Sequence, residues 1–107
     1  MVEFTQDDEQ ARLTCRFSGE LRTNECMDLQ EKIALRVTSF LRDCRDASSE
    51  PAIVFDLKEV PFASSVFVRI VLSCIQRVGK DHFTVINANE FLLGLFRTVG
   101  LRDVLEP

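Results

Sequence analysis

Two adjacent serines, Ser64 and Ser65, stand where the sequence changes from a strand pattern to a helix pattern. Residues 53–57 form a short apolar run rich in β-forming residues, and Pro61 marks its end because proline has no backbone N–H to donate. From residue 66 to residue 78 the apolar side chains follow helical spacing. A serine at this junction can cap the helix by accepting from a free backbone N–H group. The same position tolerates an added phosphate, because the helix dipole favours negative charge there.

The other side chains capable of chemistry do not form a pattern typical of an enzyme. His82 has no Cys, His or acidic residue at the spacing of a metal site or an activated nucleophile, and we expect a structural role for it. Asp56 lies within the predicted strand, where a pocket could shift its titration. The four glycines are isolated, so the chain has no glycine-rich phosphate loop. The sequence therefore predicts no catalytic residues, no metal site and no cofactor.

The cysteines also indicate a structural role rather than a reactive one. They are widely spaced and contain no C-x-x-C pair, and they are Cys15, Cys26, Cys44 and Cys74. The first residues show neither a basic region nor an apolar signal core, so we expect a cytoplasmic protein with reduced thiols. Cys26 and Cys74 fall on apolar helix faces, where a free cysteine behaves as a small hydrophobic residue.

Composition limits the size of the protein and the classes of partner. A chain of 107 residues with 46% hydrophobic content predicts one domain, residues 1–107, with a single core. The net charge of −4 disfavours a broad phosphate-binding surface, and we expect no nucleic-acid partner. No run of 18 apolar residues is present, so we expect no insertion into a membrane.

An opening β-hairpin and a long helix are predicted before the two serines. Residues 2–5 form a short strand, an acidic turn follows, and residues 11–17 alternate with the period of a half-buried strand. The first helix begins near Thr23 or Asn24, which are both good caps. Residues 46–51 form a polar connector. The apolar stripe of the helix consists of Cys26, Leu29, Ile33, Val37, Phe40, Leu41 and Cys44.

The second helix, residues 65–79, has an apolar arc wider than one core stripe needs. One interpretation buries this helix between a sheet and another helix. The other assigns part of the arc, around Phe67, Val68 and Leu72, to the docking of a partner. A short basic patch on the same helix is either a solvated face or a surface for an acidic partner. Its members are Arg69, Arg77 and Lys80.

A strand at residues 83–86 and a third helix complete the pattern. This helix starts from a cap at Asn87 or Asn89 and ends near Val99, with Gly100 as the residue after its end. Strand–helix–strand–helix order after a hairpin implies parallel neighbours joined by helical crossovers. We therefore expect an α/β fold with a mixed sheet of about four strands and helices on one face or both. The open edge of the hairpin allows a homodimer.

Three separated segments, which together cover nearly the whole chain, match motifs of one family. Gly19-Glu20-Leu21 resembles a G-E-L-D turn before the first helix, with Arg22 in place of the usual Asp. Residues 54–62 resemble a central strand with a D-L-x-x-V-x-F exit, and residues 96–104 resemble an L-x-x-T-G-L-x-x-hydrophobic tail. On these residues the chain resembles the STAS domain. This is the fold of bacterial anti-sigma-factor antagonists and of the cytoplasmic tails of sulphate transporters.

The resemblance implies a regulatory site at the two serines. The family's switch motif is D-S-x-G-L, in which a partner kinase phosphorylates the Ser. Here Ser64 takes the position of the Asp, Ser65 that of the phospho-acceptor, and Phe67 that of the Gly. The resemblance thus makes Ser65 the candidate phosphorylation site, with Ser64 as its neighbour or substitute, and Asp56 a structural residue that binds nearby backbone N–H groups. It also predicts that the Phe67 ring lies where a kinase or partner would approach.

Different classes of function follow from this resemblance. In the first, the protein is a bacterial partner-switching regulator of transcription that binds an anti-sigma factor or a related serine kinase, and phosphate on Ser65 weakens docking. In the second, it is a constitutive docking subunit of a transporter ATPase or sensory complex, which the missing Asp and Gly favour. A third is the binding of a small ligand, a nucleotide or a lipid, at the strand exit. The expected partner-binding residues are Ser64, Ser65, Phe67, Val68, Arg69 and Leu72.

Overall fold

Strands and helices alternate along the chain in the predicted order. The computed structural model describes residues 1–44 and 50–106. The elements are β1 (Val2–Asp7), β2 (Arg12–Ser18), α1 (Thr23–Asp43), β3 (Ala52–Glu59), α2 (Ser65–Val78), β4 (Phe83–Ile86) and α3 (Glu90–Thr98). Short 3₁₀ turns at Lys80–His82 and Arg102–Val104 precede β4 and follow α3. Most of the predicted connector, residues 46–49, lies outside the described residues.

The four strands form one mixed sheet in the order β1-β2-β3-β4. β1 pairs antiparallel with β2, whereas β2–β3 and β3–β4 are parallel pairs. One row across the sheet consists of Phe4, Cys15, Phe55 and Val85. Parallel neighbours require crossover connections, which α1 and α2 supply. The α/β class, the hairpin and the mixed four-stranded sheet are therefore confirmed.

Alternation along the strands separates a buried face of the sheet from a more exposed one. In β3 the side chains of Ile53, Phe55 and Leu57 are buried, and Val54 between them is partly exposed. The buried face carries a cluster of phenylalanine rings at centroid distances of 4.8–5.8 Å, consisting of Phe17, Phe55, Phe67 and Phe83. Because Phe67 belongs to α2, this contact places α2 on the buried face of the sheet.

α1 packs beside α2 and buries the predicted stripe as far as Phe40. The last two residues of that stripe, Leu41 and Cys44, are only partly buried because they lie at the C-terminal end of the helix. Among the described residues, no helix is both long and apolar enough to cross a membrane.

The starts of two helices are set by different capping residues. α1 begins after Arg22, which has an extended backbone and no side-chain capping bond, so the prediction of Thr23 or Asn24 as the cap is wrong. α3 begins after Asn89, whose side chain accepts from the Leu92 N–H at 2.9 Å. That contact selects one of the two predicted asparagine caps.

Two glycines end helices with positive φ angles. Gly79 has φ of 92°, so α2 ends at Val78, one residue before the predicted end. Gly100 has φ of 79°, and the Leu101 N–H donates to the Phe96 carbonyl at 2.8 Å. This 6→1 hydrogen bond is the Schellman geometry that a glycine after a helix end permits, which confirms the predicted role of Gly100.

Candidate functional site

The connections that follow β2, β3 and β4 meet at one edge of the sheet, because parallel strands carry their carboxyl ends to the same side. We call this region the carboxyl edge and define it as residues 19–22, 60–65 and 87–91. Backbone hydrogen bonds join the first two segments. The Leu21 N–H donates to the Phe62 carbonyl, and the Ser64 N–H donates to the Leu21 carbonyl, both at 2.8 Å. The start of α1 is therefore fixed against the start of α2.

Ser64 is the N-cap of α2. Its backbone is extended, and its Oγ accepts from the Val66 N–H at 3.3 Å. The buried Cys26 thiol lies 3.9 Å from this oxygen and donates to the Leu21 carbonyl at 3.4 Å. The structure therefore confirms a serine cap at this junction and assigns the cap to the first of the two serines.

Ser65 is the exposed serine at this position. It is the first residue of α2, and among the described residues its hydroxyl makes no hydrogen bond. A group added to this oxygen meets solvent and lies next to the free N–H groups of the first helical turn. The two serines thus differ in environment, since the Ser64 hydroxyl caps the helix and the Ser65 side chain is exposed.

Phe67 and Val68 do not form a docking surface, and this prediction is wrong. The Phe67 side chain has no solvent exposure and packs edge-on against Phe17 at 5.2 Å, and Val68 is also buried. Both residues point toward the core, because the wide apolar arc of α2 faces the sheet and α1 together. The Phe67 ring also cannot obstruct an approaching kinase. Of the predicted residues of α2, Ser65, Arg69 and Leu72 lie at the surface, and Leu72 is 42% exposed.

The predicted basic patch of α2 is divided among different partners. The Arg77 guanidinium donates to the Thr38 hydroxyl on α1 at 3.2 Å. The Lys80 ammonium pairs with the Asp103 carboxylate at 3.3 Å. Arg69 is exposed and makes neither an ion pair nor a side-chain hydrogen bond within the described part of the chain. Of these three residues only Lys80 is paired with an acid, and Arg69 is the one whose side chain makes no polar contact in the described part of the chain.

An aromatic pair of one exposed and one partly buried ring lies at the carboxyl edge, and the sequence did not predict it. The rings of Phe62 and Phe91 are 5.2 Å apart, and Phe91 is 52% exposed. The Arg22 guanidinium lies 5.9 Å from the Phe62 ring and pairs with the Glu20 carboxylate at 2.7 Å. The available signal was the position of Phe91 in the first turn of α3, outside the apolar stripe of that helix.

The contacts of the Asp56 carboxylate confirm its expected structural role. Its carboxylate accepts from the Lys58 backbone N–H and from the Asn87 side chain, both at 3.0 Å, and it pairs with Arg16 at 3.5 Å. Burial raises the pKa of Asp56, but the two hydrogen bonds and the Arg16 charge outweigh that effect, so its pKa lies below the ordinary value. These residues and Glu59 line a polar cleft of about 290 Å³.

The remaining candidates for chemistry take part in ordinary surface and core contacts. The His82 imidazole contacts the Glu50 carboxylate at 2.5 Å. Cys15 and Cys74 are buried thiols, and burial raises the pKa of Cys74 to about 12. Within residues 1–44 and 50–106, no three His, Cys, Asp or Glu side chains are grouped as metal ligands would be.

Comparison with solved structures identifies the fold. The phosphorylated form of the Bacillus cell fate determinant SpoIIAA matches with a TM-score of 0.69 and 15% identity over 99% of this chain and 89% of that one. The unphosphorylated form of the anti-sigma factor antagonist SpoIIAA matches with a TM-score of 0.74 and 15% identity over 99% and 86%. This chain has the SpoIIAA-like fold of STAS domains. An anti-sigma-factor antagonist (STAS) domain protein from Planctomyces limnophilus gives a TM-score of 0.73 at 15% identity over 97% and 85%.

The same likeness is not detectable at the level of sequence. No protein-family model matches the chain, and no curated protein matches it significantly. The SpoIIAA-like fold is therefore shown by structure. The role of the carboxyl edge has to be argued from its own residues.

Proposed function

We propose that this protein is a non-catalytic interaction module that binds a protein partner through the carboxyl edge and α2 and is regulated by phosphorylation of Ser65. The observation that carries the proposal is the different use of the two serines. Ser64 caps α2 through its Oγ, whereas the Ser65 hydroxyl is exposed and makes no hydrogen bond in the described part of the chain. The fold shared with SpoIIAA, which is known in a phosphorylated and an unphosphorylated form, supports this function.

A phosphate on Ser65 changes the surface without disturbing the fold. It adds a charge of about −1.5 to −2 at neutral pH, at the positive end of the helix dipole. Because Ser65 makes no internal hydrogen bond, the modification breaks no contact that the described residues show. A partner that binds the neutral surface would meet an added charge that must be desolvated, and docking would weaken.

The partner that we propose is an anti-sigma factor or a related serine kinase, in a pathway that regulates transcription. The cysteines are free thiols, which suits a reducing compartment such as the bacterial cytoplasm. This assignment rests on the fold and on the exposed serine together.

A pull-down of the tagged chain from its native cell, followed by mass spectrometry, tests the proposal. The tryptic peptide of residues 59–69 has only the hydroxyls of Ser64 and Ser65, so a phosphate on it lies on one of these two, and fragment ions from cleavage between them identify which. We expect a serine kinase or anti-sigma factor in the pull-down and a phosphate on Ser65. We also expect that Ser65→Asp weakens binding, while Ser65→Ala and the control Ser39→Asp, on the side of α1 near Phe4, retain it.

Constitutive docking on a transporter ATPase or sensory complex is the second candidate. The Phe62–Phe91 pair, with Phe91 exposed, favours it, because this apolar surface does not depend on either serine. An unmodified peptide, together with equal binding by Ser65→Asp and Ser65→Ala, would contradict phosphorylation-dependent switching. That result would support this second candidate.

A further inference from the structure

The exposed face of α2 is basic in an acidic protein. The helix contains two arginines and no Asp or Glu, whereas the whole chain has a net charge of −4. Its exposed residues are Ser65, Arg69, Leu72, Ser73, Gln76 and Arg77. Both arginines are charged, but the Arg77 guanidinium is hydrogen-bonded to Thr38, whereas the Arg69 side chain makes no polar contact in the described part of the chain.

On this face, Arg69 lies between Ser65 and Leu72. It follows Ser65 by one helical turn and precedes the exposed Leu72 by about one more. Side chains at positions i and i+4 of a helix are neighbours, with Cβ atoms about 5–6 Å apart. The Arg69 guanidinium can therefore reach a group attached to the Ser65 oxygen.

We propose that Arg69 is a shared cation that pairs with a carboxylate of the partner in the unphosphorylated protein and with the Ser65 phosphate in the modified one. This inference rests on the proposed function. The partner's surface is thus acidic and carries an apolar side chain that packs on Leu72. Charge complementarity supports this choice, because a protein surface rich in Asp or Glu is attracted to a face that has arginines and no acids.

Competition for one guanidinium explains how the phosphate releases the partner. Arginine binds carboxylates and phosphates through the same fork of N–H donors. The phosphate is attached to the same helix and carries more charge than a carboxylate, so its pairing with Arg69 has the advantage of an intramolecular contact. Phosphorylation thus has two effects on the partner. It occupies the Arg69 guanidinium that attracts the partner's carboxylate, and it places the negative phosphate near that carboxylate.

The first test compares two charge reversals against the partner protein recovered with the wild-type chain. Arg69→Glu removes the shared cation, and Lys32→Glu is the control on the side of α1 near Phe4. Arg69 and Lys32 are both exposed helix residues, so we expect both variants to fold. We expect Arg69→Glu to weaken binding by at least about tenfold and Lys32→Glu to leave it unchanged.

The possible outcomes separate this inference from the proposed function. If Ser65→Asp weakens binding but Arg69→Glu binds as tightly as Lys32→Glu, the shared cation is refuted and the phosphorylation switch stands. If Ser65→Asp and Arg69→Glu both bind as tightly as the wild type, both proposals fail.

The second test needs no partner. Protein carrying phosphoserine at position 65 is titrated by ³¹P NMR, with Arg69→Gln as the test variant and Arg77→Gln as the matched control on the same helix. We expect a lower second pKa of the phosphate in wild type and Arg77→Gln than in Arg69→Gln, because a neighbouring guanidinium favours the dianion. Equal phosphate pKa values in all three proteins would refute the intramolecular pairing.

Discussion

Replacement of Phe67 by alanine removes a fully buried side chain from the phenylalanine cluster. The ring lies 5.2 Å from Phe17 and 5.8 Å from Phe55, so its removal leaves a cavity beneath α2. Such truncations cost about 3–5 kcal/mol, which includes the loss of an aromatic pair. Small domains have a total stability of about 5–15 kcal/mol, so a loss of this size is a large fraction of it. We expect Tm to fall by about 15–30 °C.

Urea unfolding followed by circular dichroism measures this loss, and Leu72→Ala is the matched control. Leu72 is an apolar residue of the same helix but is 42% exposed, and we expect its truncation to cost about 1 kcal/mol or less. Equal losses for Phe67→Ala and Leu72→Ala would show that the Phe67 ring is not buried. That result would restore Phe67 as a residue of the docking surface.

Three further predictions concern the carboxyl edge and Asp56. Ser64→Ala removes the cap of α2 and lowers the free energy of unfolding by about 1 kcal/mol, whereas Ser65→Ala changes it by less than about 0.5 kcal/mol; urea titrations of the two variants compare them directly. Ser65→Asp raises the free energy of unfolding by about 0.3–1 kcal/mol at low salt, and the gain shrinks in high salt. For Asp56, the depressed pKa means that its stabilising effect is present above the ordinary value of about 3.9 and is lost as the pH falls through the lower folded value. Acid titration of stability should therefore be flatter in Asp56→Asn than in the wild type, and identical curves would contradict the assigned hydrogen bonds.

Local sequence patterns predicted the strands and helices, because the periodic burial of a strand or helix is visible in the residues of that element alone. The period-2 alternation of residues 11–17 and the stripe of α1 both describe one buried face. The ends of these elements were less accurate, since they depend on single backbone conformations. Ala11 has φ of 50°, and β2 consequently begins one residue after the predicted start.

The surface of α2 was harder to predict because two elements cover it. A wide apolar arc is compatible with either a buried helix or a docking helix, and periodicity alone does not distinguish the two. The packing of Phe67 against Phe17 on β2 decides the question, and the 49 residues between them carry no signal of that contact. The same reason applies to Arg77, whose partner Thr38 belongs to α1.

The pairing of Phe62 with the exposed Phe91 was not predictable from either segment alone. Each residue lies outside the buried core, and the rings meet because parallel strands deliver both connections to one edge. The Asn89 side chain fixes the pair by donating to the Pro61 carbonyl at 3.2 Å. Such contacts depend on the topology of the sheet, so they can be recognised only once the structure is known.

The rigidity of the carboxyl edge determines what kind of signal this protein can send. Backbone hydrogen bonds at 2.8 Å fix Leu21 to Phe62 and Ser64, and the Ser64 cap holds the first turn of α2. Since the Ser65 hydroxyl takes part in none of these contacts, a phosphate there leaves them intact. A change that leaves the backbone unmoved can alter a partner's affinity only through surface charge and shape. The switch that we propose is therefore electrostatic, and it should weaken as salt screens the exposed charges.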